Sequence, residues 1–201
     1  MTLNPNHPKK GSAIKVEPIR SKAAIERIKA DLLYRKKYRD FCLFTLGINT
    51  AYRANELLSL TLGKVAELEA GDTLELKQSK NKKHRMVTVN RTVLDAIQQY
   101  LKHDYRMRSC NVQSPLFYSA KGGALTVPTV SVMVKEWCEG AGCKGNYGSH
   151  SMRKTWGWHQ YKRGTAIPLL MEAFGHHTQA QTLEYLCIQA DEIKAVYDME
   201  L

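Results

Sequence analysis

Residues 150–185 read HSMRKTWGWHQYKRGTAIPLLMEAFGHHTQAQTLEY, and this stretch decides how the rest of the chain is interpreted. His150 and Arg153 stand three residues apart. At the start of a helix that spacing places both on one face, where they can converge on a single anion. The free backbone N–H groups of a helix start favour an anion too. Arg153 is followed 23 residues later by His176 in FGHHT, and Tyr185 comes nine residues after that in TLEYL. An isolated His-x-x-Arg is usually a capping histidine beside a solvated arginine. With ten tyrosines in the chain, one near a histidine means little by itself. The information lies in the ordered spacing.

Working outward, two more cationic segments join the set: Arg53 in NTAYRANELLSL and Lys80 in KQSKNKKHR. Glu56 lies one turn beyond Arg53, close enough to hold its guanidinium. Two arginines, a lysine, two histidines and a tyrosine are what metal-free phosphodiester cleavage through a tyrosyl intermediate requires. Guanidinium groups bind the two non-bridging oxygens in planar, charge-assisted hydrogen bonds. The tyrosine supplies the attacking oxygen, and lysine and histidine move protons. A phenol with a pKa of about 10 is a poor nucleophile at neutral pH. It becomes useful when cations crowd the phosphate and a base lies near, so Arg53, Arg153 and His150 must act together. Preorganised positive charge also stabilises the added negative charge of a pentacoordinate phosphorane, by several kcal/mol in comparable sites.

The bulk properties agree. With 201 residues, 43% of them hydrophobic, the chain can bury one substantial core. Lys+Arg 30 against Asp+Glu 19 gives a net charge of +11, which points to an anionic partner and first to nucleic acid. The five cysteines are odd in number and irregularly spaced, and MTLNPNHPKKGS lacks the apolar core of a signal peptide, so reduced thiols are expected. Cys138, Cys143 and His150 do not fit the spacing of a usual zinc site. The longest apolar run, FCLFTLGI, is far too short to span a bilayer.

The Pro-, Lys- and Asn-rich residues 1–20 read as a flexible basic arm, and residues 21–201 as one domain. Ser21 caps a helix carrying Ile25, Ile28 and Leu32. FCLFTLGI reads as a buried helix, and Arg53–Leu60 as a short one with Leu57, Leu58 and Leu60 inward. TLELKQ and RMVTVN alternate in character around the turn SKNKKH and predict a strand pair. Val93, Ile97 and Leu101 return to helical spacing, PLFYS suits a short strand, and Pro128 opens a helix reaching Trp137. A glycine-rich loop then delivers His150 to helix Ser151–Arg163, followed by Pro168–Phe174, a helix bearing Tyr185, and the acidic tail DEIKAVYDMEL. The sum is α+β, predominantly helical, with a hairpin or three-stranded antiparallel sheet.

These residues together resemble the catalytic domain of the tyrosine recombinase (phage integrase) family, from about residue 45 to about residue 190. Arg53, Glu56, Leu57 and Leu60 fill an Arg-x-x-Glu/Asp element followed by Leu-x-x-Leu, with Tyr52 where an apolar residue is commoner. His150-Ser-Met-Arg153 matches the His-x-x-Arg box, with Met152 for leucine and Lys154 for a frequent histidine. Gly175-His176 matches Leu-Gly-His with Phe174 for leucine, and Thr182 precedes Tyr185 as a threonine does in the family. The Gly-His order and the distance to tyrosine favour His176 over its neighbour His177.

The resemblance implies the roles. Tyr185 is the nucleophile, Arg53 and Arg153 hold the phosphate, His150 helps accept the tyrosine proton, and His176 donates to a phosphate oxygen. A lysine of the hairpin protonates the leaving oxygen; counting back from RMVTV places it at Lys80, with Lys82 and Lys83 as alternatives. Lys77, Lys82, Lys83, Arg85 and Lys154 are assigned to DNA phosphate contacts.

The function so implied is that of a site-specific DNA recombinase, an integrase or invertase, cutting and rejoining DNA through a 3′-phosphotyrosyl link. It would work without cofactor or metal, in the cytoplasm of a bacterium or as the product of a phage or mobile element. The partner is double-stranded DNA at a specific site. The enzyme would be a homotetramer on DNA and a monomer or weak oligomer when free. Larger family members carry an N-terminal DNA-clamping domain, and only about fifty residues precede Arg53. The chain is therefore expected to be a short stand-alone recombinase or a fragment of a longer integrase. Two other readings remain at this point: a type IB topoisomerase-like nicking and rejoining enzyme, and a non-catalytic DNA-binding module of the same fold.

Overall fold

The computed structural model describes residues 15–77, 84–120 and 122–188. Helix α1 (Lys22–Tyr34) starts where Ser21 Oγ accepts from the Ala24 amide at 3.2 Å, and it buries Ala24, Ile25, Ile28 and Leu32. Helix α2 (Tyr38–Gly47) is buried over almost its whole length, Asp40 included, whose carboxylate pairs with Arg39 at 2.6 Å. Helix α3 (Ala54–Leu58) follows, with Leu57 and Leu60 in the core and Leu58 half-buried.

Strands β1 (Thr73–Lys77) and β2 (His84–Thr88) pair antiparallel, Thr73 opposite Thr88 and Lys77 opposite His84. Their inward residues Leu74 and Leu76 join the core. The turn between them holds Lys80, Lys82 and Lys83, which lie outside the described residues. Asn90 caps α4 (Arg91–His103) through the Val93 amide at 2.9 Å. Helix α4 packs on α2, and its Tyr100 hydroxyl donates to Leu116 O at 2.8 Å. The chain ends in α5 (Val127–Gly140), α6 (Ser149–Lys162), α7 (Ile167–Phe174) and α8 (Gln179–Tyr185). No helix among the described residues is long and apolar enough to cross a membrane, and none of their His, Cys, Asp or Glu groups clusters as a metal site.

Three expectations need correction. PLFYS forms no strand: Pro115 and Tyr118 make only isolated bridges, to Thr61 and Ala124, so the described sheet has two strands. The backbone here is occupied in holding loops together, with Leu116 N donating to Leu60 O and Leu125 N to Phe117 O. Helix α6 starts at Ser149, two residues early, because Ser131 Oγ accepts the Ser149 amide and Ser151 Oγ that of Gly148. Finally, the basic arm is not free as far as residue 20. Pro18 and Ile19 are buried, Ile19 N donates to Thr155 Oγ1 at 2.8 Å, and Glu17 N to Asn146 O at 2.8 Å.

Two glycines allow the close approaches that place α6 in the middle. A Cβ on Gly47 would lie 2.5 Å from Met152 Sδ, and one on Gly157 would lie 2.3 Å from Phe174 Cζ and 2.7 Å from Leu186 Cδ2. Gly157 thus lets the segment carrying Phe174 and Leu186 sit directly on α6. Gly157→Ala is expected to lower stability by about 1–3 kcal/mol through overpacking. Gly140→Ala, where nothing lies within 4 Å, should be neutral or slightly stabilising. Urea unfolding of both variants checks this.

Candidate active site

The loop entering α3 turns at Ala51, a non-glycine residue in left-handed conformation (φ 55°). Tyr52, next in line, is buried and donates its hydroxyl to Leu74 O on β1 at 2.6 Å. The residue that departs from the usual apolar choice therefore ties the Arg53 segment to the hairpin. Arg53 itself is the N-cap of α3. Its backbone amide donates to Glu56 Oε2 at 2.7 Å and its Nη1 to Glu56 Oε1 at 2.8 Å.

Arg153 projects from α6 and is only 3% exposed. Its Nη1 lies 3.9 Å from Glu56 Oε2, and its Nη2 donates to Phe174 O at 2.7 Å. Arg53 Nη2 reaches the same carbonyl at 3.4 Å. One carboxylate and one peptide oxygen thus hold both guanidinium groups. Phe174 is the last residue of α7, and Gly175 ends the helix in left-handed conformation (φ 66°). A carbonyl in a last turn has no helical partner and carries the negative end of the helix dipole, so an arginine pair is a natural occupant. Charges of +2 from the arginines and −1 from Glu56 leave a net +1 on these three side chains.

The Phe174 side chain forms the floor. Its ring centroid lies 5.7 Å from that of Trp156, 5.2 Å from His176 and 5.1 Å from Tyr185, and Arg153 Cζ sits 5.0 Å from it. His176 and Tyr185 are 5.0 Å apart, edge to face. Thr178 caps α8 through the Gln181 amide at 3.1 Å, which sets the helix that presents Tyr185. His176 Nδ1 meets Thr182 Oγ1 at 3.0 Å. Burial first, then the charges of Arg153, Arg53 and His177, pull the His176 pKa down to about 4, so its ring is neutral at pH 7.

Of the residues expected to form the site, Arg53, Arg153, His176 and Tyr185 are joined by these contacts. His150 stands exposed in the first turn of α6, one turn before Arg153. Lys80 lies outside the described residues. Lys154 is placed differently from its expected DNA contact. At 5% exposure its ammonium turns inward, donating to Val16 O at 2.8 Å and Cys187 Sγ at 3.4 Å, and lies 4.9 Å from the Tyr185 ring centroid. The buried ammonium supports the Tyr185 segment by cation–π contact. The sequence reading missed this contact, the Phe174 carbonyl and the hydroxyl of Thr182. A backbone carbonyl has no residue-type signature, although the glycine after Phe174 was a cue that a helix ended there.

The architecture is shared with solved recombinases. A crystal structure of XerA recombinase superposes with a TM-score of 0.71 at 20% identity, over 95% of this chain and 65% of that one. XerH bound to a palindromic difH substrate in a post-cleavage complex gives 0.72 at 23%, over 94% and 54%. Residues 21–192 match the phage integrase family model, and the chain belongs to that family. It is 30% identical over 186 residues to the probable integrase/recombinase YoeC of Bacillus subtilis, covering 90% of this chain and 95% of that protein. It is 26% identical over 159 residues to the tyrosine recombinase XerD of Corynebacterium glutamicum, of which it spans 51%.

The lowered His176 pKa has a consequence for stability. A histidine kept neutral in the folded state takes up its proton more readily when unfolded. Stability is therefore full above about pH 6.5 and falls as pH drops toward about 4. His159, also lowered by burial, contributes in the same direction. Replacing His176 with glutamine should flatten part of this slope, as measured by urea unfolding between pH 4 and 7.

Proposed function

We propose that this protein is a site-specific DNA recombinase whose Tyr185 attacks a DNA phosphate. Attack forms a 3′-phosphotyrosyl ester and releases a 5′-hydroxyl; the 5′-hydroxyl of a partner strand then attacks the ester and frees the tyrosine. One phosphoester is exchanged for another at each step, so no nucleotide is consumed. The observation that carries this reading is the pair of arginines fixed by Glu56 and the Phe174 carbonyl, against the same phenylalanine whose ring touches His176 and Tyr185.

Arg53 and Arg153 bind the non-bridging oxygens, and their rigid mounting means little reorganisation as charge builds on the phosphorane. His150, exposed beside Arg153, assists removal of the phenolic proton, and His176 donates a hydrogen bond to a phosphate oxygen. Lys80 protonates the departing 5′-oxygen. Lys77, Arg85 and the turn lysines Lys82 and Lys83 hold flanking phosphates. The working assembly is four protomers on two duplexes in the cytoplasm, and the net charge of +11 supports the attraction to DNA.

Tyr185→Phe removes a single oxygen and leaves the basic surface intact. It should bind DNA with unchanged affinity yet form no covalent adduct on a nicked suicide substrate, read on a denaturing gel. An undiminished adduct would move the nucleophile elsewhere, with Tyr161 or Tyr197 next.

Lys80→Ala should slow cleavage by about 10²–10⁴-fold while weakening binding little. A substrate with sulfur at the bridging 5′ position has a leaving group that needs no proton, so it should restore cleavage to this variant and do much less for Arg53→Ala. Rescue of Lys82→Ala or Lys83→Ala in place of Lys80→Ala would shift the assignment along the turn. Rescue of none of them would leave these lysines as phosphate contacts only.

A further inference from the structure

Thr182 is fully buried, so its hydroxyl cannot turn to water. It has one proton and two neighbouring acceptors: His176 Nδ1 at 3.0 Å and the carbonyl of Thr178, one helical turn back, at 3.4 Å. The choice decides the state of the histidine. If the proton goes to the carbonyl, Nδ1 must carry its own hydrogen and donate to Thr182, which leaves Nε2 with a bare lone pair. If it goes to Nδ1, the single N–H of the neutral ring sits on Nε2.

Other threonines in the same protein show what a hydroxyl committed to the preceding turn looks like. Thr155 Oγ1 donates to Ser151 O at 2.7 Å, and Thr50 Oγ1 to Leu46 O at 2.8 Å, both at ordinary O–H···O length. The 3.4 Å separation at Thr182 is well outside that length, whereas 3.0 Å to the ring nitrogen is a normal contact. The neutrality of the ring, enforced by burial and by both arginines, removes the third arrangement, in which both nitrogens carry hydrogen.

We propose that Thr182 is a positioning residue that donates its hydroxyl proton to His176 Nδ1 and thereby fixes the N–H of the ring on Nε2. A bare Nε2 lone pair would repel a phosphate oxygen, and an Nε2–H attracts it. The Tyr185 helix would then orient the histidine as well as the nucleophile, since Thr182 lies three residues before Tyr185 on α8. This assignment rests on the reading of His176 as a donor to phosphate.

The test begins on the wild-type protein without DNA, labelled with ¹⁵N-histidine and observed by NMR at pH 7. His176 should show a pyridine-type Nδ1 and a pyrrole-type Nε2; the reverse pattern overturns the assignment without any variant. Single-turnover cleavage of a nicked duplex then tests the consequence. Thr182→Val, which keeps the shape and loses the hydroxyl, should cleave about tenfold more slowly with unchanged DNA affinity. Thr182→Ser should cleave like wild type. Thr182→Val cleaving at the wild-type rate, or Thr182→Ser as slow as Thr182→Val, would each overturn it. Failure of the recombinase reading is separately visible as absence of a covalent adduct with the wild-type protein, whatever the NMR pattern.

Discussion

Two guanidinium groups gripping one carboxylate and one peptide oxygen form the constraint on which this structure depends. Like charges of this kind repel when taken out of water, and a buried arginine without a partner costs several kcal/mol. Glu56 and the Phe174 carbonyl remove that obstacle with a single negative charge and a single helix end. Three chain segments far apart in sequence are thereby committed to one point: the start of α3, the first turns of α6 and the C-terminus of α7. The charge left over on these three side chains is positive by one.

Around that point lies a small second core of Ala51, Leu170, Phe174 and Leu186, with Trp156 and Tyr185 packed against it. It is separate from the large core built on α1, α2, α4 and α5. The division separates two tasks. The large core fixes the scaffold, whereas the small one decides where α7 and α8 sit and so where His176 and Tyr185 stand relative to the arginines. Gly157 is the point of closest approach in this arrangement, since a side chain there would collide with Phe174 and Leu186.

Much of this was legible in the sequence because the signals were local. The helical spacing of Ile25, Ile28 and Leu32, the Ser21 and Pro128 helix starts, and the alternation of TLELK all correspond to elements in place. The sequence order of Arg53, Arg153, His176 and Tyr185 also pointed to one cluster, and their side chains do meet around Glu56 and Phe174. What could not be read depends on long-range geometry. PLFYS has strand-like residues yet spends its backbone on bridges to Thr61 and Ala124. Lys154 has the charge of a DNA contact but lies on the inward side of α6, where Val16 and Cys187 meet it. The Phe174 carbonyl belongs to the backbone, which every residue shares.

The segment that was expected to trail freely has a larger bearing. Lys15 pairs with Glu184 at 2.6 Å, Arg20 donates to the Cys187 carbonyl at 2.9 Å, and Lys154 bridges Val16 to Cys187. The first and last described stretches of the chain therefore lie side by side, against the residues flanking Tyr185. A substitution at Lys15 or Arg20 would therefore be felt at Glu184 and Cys187, which stand on either side of Tyr185. Residues 15–20 are thus part of what holds the Tyr185 segment in place, and a truncation that removes them would reach that segment from the opposite end of the chain.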